Sequence, residues 1–431
     1  MRLILCVLAL AMLAMPACGQ ETAEEWVEEG VALYEQGKYD EAIQAYDEAI
    51  KLDPRYALAW TGKGNALDDL GKSDEAIQAY DEAIRIGPEL ADAWYNKGLA
   101  LYHQGNYTEA IQCYDEAIRL DPDYALAWNN KGWALYNQGN YTEAIQCYDE
   151  AIRLDPEYAL AWDNKGYTLA MQGRYDEAIQ AFDESIHLNP EYADAWYYKG
   201  LALAMQGKYD EAIAAYNEAT RIDPEFVMAW NDKGLALYHQ GNYTEAIRAY
   251  DEAIRLDPQF AWPWSNKGNT FKKLGNYTEA IQAYDEAIWL DPEDAGVWYN
   301  KGVALHYQGK YDEALQAYDE AIKLDPEDSD AWNNKGAALY DLGNYTEAIQ
   351  VLDEAIKLDP GDALAWYNKG LALGMQNKHE EALQAFDEAI RLNPENAEVW
   401  YDKGIALESL GKTAEANEAY AKAEELGFSG C

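Results

Sequence analysis

Between Ala91 and Pro122 the apolar and small residues recur at three- and four-residue spacing along two successive stretches. In the first, Ala93, Trp94, Gly98, Leu101 and Tyr102 share one face of a helix. That run meets Gly105, which suits a left-handed residue just past a helix end. In the second, Ala110, Ile111, Tyr114, Ala117 and Ile118 share a face. Asp121-Pro122 closes it, because the proline ring excludes a continuing helix and restricts the residue before it. The spacing predicts a first helix ending before Gly105 and a second starting at Thr108, whose hydroxyl is expected to cap the free N–H groups. Asp40, Asp74, Asp176, Asp210 and Asp312 stand at the equivalent place elsewhere and carry the same expectation.

The pattern then returns. Tryptophan recurs every 34 residues without insertion, twelve times from Trp26 to Trp400. A glycine follows each Trp by four residues (Gly30 to Gly404) and an alanine by sixteen (Ala42 to Ala416). An aromatic follows by twenty, from Tyr46 to Tyr420, broken only by Leu352, and a proline by twenty-eight, from Pro54 to Pro394. The glycine after the first helix is replaced once, by Asn377. A fixed period of this length means a repeat architecture, in which one unit cannot bury its apolar face alone and neighbours must stack. Gly98 and Ala110 let paired helices approach, while Trp94, Tyr107 and Tyr114 fill the remaining space.

These residues resemble the tetratricopeptide repeat, and the resemblance covers residues 23–430. It implies an all-α fold, a right-handed superhelical α-solenoid of twelve helix-turn-helix repeats. First helices would line a concave groove, and second helices the convex side, over more than one turn. The family's usual activity is to bind peptides or proteins in that groove. One departure is systematic: three residues after the Trp, where the family usually has Leu, eleven repeats carry lysine, from Lys63 to Lys403, and only Glu29 differs. Two readings fit. Each stem packs while its ammonium reaches a carboxylate of the preceding second helix, or the lysines form a basic stripe for an anionic ligand.

In superhelical members of the family an asparagine ladder grips a peptide main chain. A similar ladder stands two residues after the Trp, at Asn96, Asn130, Asn164, Asn266, Asn300, Asn334 and Asn368, and breaks at Tyr198 and Asp232. A primary amide both donates and accepts, so it pairs with any backbone whatever its sequence. Neutral asparagine copied by duplication is the plainer reading. Tyr102, Trp133, Tyr136, Tyr238 and Tyr340 share this face as candidate groove aromatics, joined by Tyr167 and by Met171, Met205 and Met375. Repeat eight alone reads Trp262-Pro263-Trp264 and alone carries Lys272-Lys273, so Trp262 is expected near the groove beside two cations.

Asn-Tyr-Thr occurs five times, at Asn106, Asn140, Asn242, Asn276 and Asn344, each in the turn between helices. Each is an N-glycosylation acceptor by sequence, although turn and cap chemistry in one duplicated ancestor explains the tripeptide as well. Residues 1–17 read as an export signal: Arg2, then an apolar run from Leu3 to Ala14 too short to span a bilayer. Lipobox-like cleavage before Cys18, with lipid on its thiol, competes with cleavage after Gly19 and with an uncleaved anchor. Met15 and Pro16 depart from the usual lipobox. Residues 18–22 are a short linker.

Charge narrows the partner. With 78 acidic against 33 basic residues the chain carries a formal −45, which disfavours nucleic acid and favours a partner of basic character, or simple solubility. The five histidines lack metal spacing, no glycine-rich phosphate loop or Ser-His-Asp set is present, and adjacent pairs such as Asp115-Glu116 diverge by about 100° on a helix. No enzyme, cofactor or metal is expected. Cys113 and Cys147 are expected as small core residues, since equivalent points on stacked helices lie too far apart to bridge. The expectation is an exported, cell-surface scaffold holding an extended peptide, with a lipid anchor to the membrane as one of the competing readings. The alternative is a structural envelope component that self-associates.

Overall fold

The computed structural model describes residues 21–428, so the signal expected over 1–17, Cys18 and Gly19 lie outside the described residues. Twenty-four helices, from Ala23–Glu35 to Thr413–Glu425, alternate as first and second helices of successive repeats, and the described residues contain no strand. In repeat three the pair is Ala91–His103 and Tyr107–Leu120. No described helix is long and apolar enough to cross a membrane.

The turn inside each pair follows from one residue. Gly105 adopts φ +79°, and its N–H donates to the Tyr102 carbonyl while that of Asn106 donates to the Leu101 carbonyl. This closes the first helix with a left-handed residue and two backward hydrogen bonds. Asn377 takes the same conformation at φ +61°, the sole non-glycine with positive φ among the described residues.

The start of the second helix corrects the sequence reading. It begins at Tyr107, Asn106 is its N-cap, and no side chain caps it. Thr108 accepts a hydrogen bond from Gln138 Nε2 of the next repeat at 2.9 Å, and Asp74 accepts in the same way from Gln104 at 2.8 Å. Hydroxyl and carboxylate are interchangeable here because each offers an acceptor oxygen to a glutamine 30 residues on.

Within a pair, helices close on a ring set against bare backbone. A Cβ built on Gly98 would lie 2.7 Å from the Tyr114 ring, and the equivalent at Gly302 would lie 2.6 Å from that of Tyr318. Between pairs, the Trp94 indole N–H donates to the Pro88 carbonyl at 3.1 Å and that of Trp298 to the Pro292 carbonyl at 3.1 Å. Tryptophan and the preceding proline therefore travel together because the indole pins the turn that joins repeats. Cys113 and Cys147 are buried free thiols, each pushed up to about 11 by burial.

The helices group into two compact units, one ending at Gln206 and one starting at Gly207. Inside each, every helix touches its sequence neighbours, and first helices of adjacent repeats also touch one another, whereas second helices of adjacent repeats do not. First helices therefore crowd on the inner side of each unit and second helices splay on the outer side.

Two substitutions separate close approach from turn geometry. Gly98→Ala should lower stability by ~1–3 kcal/mol through overpacking against Tyr114. Gly105→Ala, which meets open space, should lose only ~1 kcal/mol, from the left-handed backbone. Urea titration followed by circular dichroism measures both, and an unchanged midpoint for Gly98→Ala contradicts the packing account.

Candidate functional site

The asparagines two residues past each Trp lie half-buried on the inner side, and each is tied to a neighbouring repeat. Asn164 Nδ2 donates to Asn129 Oδ1 at 3.0 Å, Asn266 to Asn231 at 3.1 Å, Asn368 to Asn333 at 2.9 Å and Asn96 to Asn65 at 3.0 Å. These four show no further side-chain bond, so a second N–H and the carbonyl oxygen stay available. Of the other three, two make a second bond and one is held only as an acceptor. Asn130 donates to the Tyr95 hydroxyl and accepts from Asn129. Asn334 donates to both the Tyr299 hydroxyl and the Asp330 carbonyl, and Asn300 accepts from Lys272 Nζ at 2.6 Å.

The acceptors of this ladder were not singled out from the sequence. Apart from Asn65, which stands five residues past Trp60, they stand one residue past the Trp, where Asn129, Asn231 and Asn333 are buried and Tyr95 and Tyr299 supply hydroxyls. The signal was present, since a polar or tyrosine residue one past the Trp precedes an asparagine two past the next Trp. Repeat five breaks the chain of bonds. Asp163 holds the acceptor place, 4 % exposed, but the next repeat offers Tyr198 instead of asparagine. Its Oδ1 has no partner, and Oδ2 accepts only a long 3.5 Å bond from the Tyr192 hydroxyl. Burial, with Asp194 nearby, pushes the Asp163 carboxyl up to about 7.

Aromatic side chains fill the same face. Trp133 and Tyr136 stack with ring centres 4.9 Å apart, Tyr167 packs against both, and Tyr198 meets Tyr167 edge-on at 4.9 Å. Tyr102 accepts from Asn137, while Tyr238 and Tyr340 pack on Tyr243 and Tyr345 of their own repeats. Trp262 departs from expectation. It is 56 % exposed and its ring packs on Phe260. Ten residues of helix set Lys272 about 15 Å further along the axis, so the two lysines do not flank it. Met171, Met205 and Met375 are exposed.

The lysines take the first of their two readings. Lys97 reaches Asp81 at 2.6 Å, Lys301 reaches Asp285 at 2.6 Å and Lys403 reaches Asp387 at 2.6 Å, each carboxylate lying on the preceding second helix. Each ammonium also lies near its own Trp ring, as Lys97 does at 6.0 Å from Trp94. Lys233 is the exception. The five Asn-Tyr-Thr asparagines are exposed N-caps of second helices. Four of their threonines, Thr108, Thr142, Thr278 and Thr346, accept from a glutamine of the next repeat. No group of side chains among the described residues is arranged to hold a metal ion.

Asp163 makes stability depend on pH. An unfolded aspartate titrates near 3.9, so between about pH 4 and pH 7 the folded chain keeps a proton that the unfolded chain has lost. Stability therefore falls as pH rises through that window and stays level above it. Asp163→Asn, the residue of three other repeats, should match the parent near pH 4 and exceed it by on the order of 4 kcal/mol at pH 8. Urea titrations at both pH values measure this, and equal differences at the two pH values would refute it.

The chain was compared with known proteins. A profile described as tetratricopeptide repeat matches residues 27–91, 69–125, 95–159, 129–190, 164–225, 266–325 and 305–363. Related repeat profiles match 215–248, 234–275, 363–396 and 385–417. No curated protein matches the chain. Among solved structures it is similar to YrrB, described as a TPR protein with an unusual peptide-binding site, at 25% identity over 44% of this chain and 97% of that one, TM-score 0.40. It is similar to MamA of Desulfovibrio magneticus RS-1 at 28% identity over 38% of this chain and 94% of that one, TM-score 0.37. Yeast Tom70 is 16% identical over 94% of this chain and 92% of its own, TM-score 0.39. With the profile spanning residues 27–225 and 266–363, and the same side-chain-on-glycine contact recurring from Gly30 with Tyr46 to Gly404 with Tyr420, the chain belongs to the tetratricopeptide repeat family.

Proposed function

We propose that the chain is an exported, non-enzymatic scaffold that holds an extended polypeptide segment of basic character against the inner face of its first helices. The observation that carries this is the ladder. Asn96, Asn164, Asn266 and Asn368 are each fixed by one N–H to the preceding repeat, which holds the amide plane while leaving a donor and an acceptor for a ligand backbone. Half-buried aromatics beside them supply area for side chains. A field of −45 draws cationic segments and repels phosphate backbones.

Export rests on the Leu3–Ala14 run, with Cys18 as the lipid attachment and the exposed asparagines of Asn-Tyr-Thr as sugar acceptors. Intact mass of native protein tests these parts, and a mass equal to the bare mature chain removes both modifications.

A second reading, self-association into an envelope structure, draws on Trp262, Trp289 and Tyr307, which are 56, 71 and 69 % exposed. Sedimentation velocity decides it, since a monomer at every concentration removes it.

The ladder itself is tested by changing Asn96, Asn164, Asn266 and Asn368 together to alanine. Peptides selected from a random library on the purified parent chain serve as ligands, measured by fluorescence anisotropy. Affinity should fall by about tenfold or more. Parent affinity in a variant of unchanged helicity would rule the ladder out.

A further inference from the structure

Ten of the eleven lysines three past a Trp pair with an aspartate of the preceding second helix, at 2.5–2.7 Å. Lys233 does not, because its counterpart is Asn217. No carboxylate among the described residues pairs with its ammonium, which instead lies 4.4 Å from the centre of the Trp230 ring, against 5.1–6.0 Å for the other lysines over their tryptophans. Burial draws this ammonium below the usual lysine range.

Lys233 opens into a cleft of about 360 Å³ between the two helices of repeat seven, Val227–Gln240 and Tyr243–Leu256. Three carboxylates border it, and each already has a cation. Glu245 holds Arg248 at 2.6 Å, Asp251 holds Lys267 at 2.6 Å and Glu252 holds Arg255 at 2.8 Å. Lys233 is thus the one cleft charge without a counter-ion. Arg248 is also peculiar to this repeat, since Gln112, Gln180 and Gln282 stand at the same place in others. Two departures from the repeat, one removing an anion and one adding a cation, converge on a single cleft.

We propose that this cleft is a carboxylate-binding site, distinct from the ladder face, which takes one acidic side chain of a polypeptide ligand in place of the aspartate missing at position 217. The ladder lies along the seam between first helices, whereas Lys233 faces a second helix. A half-buried charge beside a ring gains most from a single counter-ion that arrives with its own apolar stem. The three bordering carboxylates repel a phosphate dianion or a polyanion, while one carboxylate restores the balance present in ten other repeats. Trp230 and Ala249 form an apolar wall for the chain that carries it.

The probes are the capped tripeptides acetyl-Ala-Glu-Ala-amide and acetyl-Ala-Gln-Ala-amide, sodium acetate and inorganic phosphate, added to the full chain. Lysines are labelled as ¹³C-dimethylamines, and the Lys233 signal is assigned by its loss in Lys233→Arg. The glutamyl peptide should shift that signal saturably, and the glutaminyl peptide and phosphate should not. Asn217→Asp, which restores the residue of ten other repeats, should weaken the glutamyl peptide by about tenfold or more. Lys233→Met should abolish protection of Trp230 from iodide quenching by the same peptide, read against a Trp230→Phe difference spectrum. Equal response to both peptides, a stronger response to phosphate, or undiminished binding by Asn217→Asp would overturn the proposal. Acetate acting as strongly as the glutamyl peptide would overturn the assignment to a polypeptide.

Discussion

An aromatic ring lying against a helix backbone that has no side chain fixes the geometry within most of the pairs. Tyr114 occupies the volume that any Cβ on Gly98 would claim, and the same contact recurs at Gly132 with Tyr148 and at Gly268 with Tyr284. That distance makes Ala110 necessary, since a larger residue there would hold the helices apart. It also sets how far the first helices of neighbouring repeats lie from one another, and so whether an amide at one Trp+2 position can reach the side chain at the previous Trp+1. Repeat ten shows the tolerance of the arrangement: Leu352 replaces the ring, is fully buried, and still leaves no room for a Cβ on Gly336.

Much of this was legible in a single repeat. Helical spacing, the left-handed turn, including Asn377, and the proline stop each depend on residues a few positions apart, and they appear where the periodicity put them. What escaped was chemistry shared between repeats. Thr108 suits a cap by type, yet it serves as an acceptor for Gln138, and only comparing residues 30 apart separates the two roles. The ladder was half visible: asparagine at Trp+2 stood out, whereas its acceptor one residue past the previous Trp changes between asparagine and tyrosine and so looks like noise. Trp262 was set beside Lys272 because both mark repeat eight, although ten helical residues keep them apart.

The electrostatics divide in the same manner. A chain of net −45 would be expected to present its few cations to partners, yet most of the lysines beside the tryptophans are held by local aspartates and rings. Partly exposed pairs of this kind contribute little stability singly. Their effect is positional: the ammonium fixes the lysine stem over the indole, and the indole pins the proline turn. Hence the outward field is left to the second helices and turns, while the ladder face is lined mostly by amides and aromatics.

The bond from Asn164 to Asn129 spans 35 residues and the bond from Gln138 to Thr108 spans 30, so each reaches only to the neighbouring repeat. A molecule of 431 residues therefore folds with the contact order of a much shorter one. Nucleation can begin in any adjacent pair of repeats and spread outward, so a segment emerging from a ribosome can become native before the remainder arrives. Asp163 and Tyr198, where a ladder bond is missing, mark the place at which such spreading would pause.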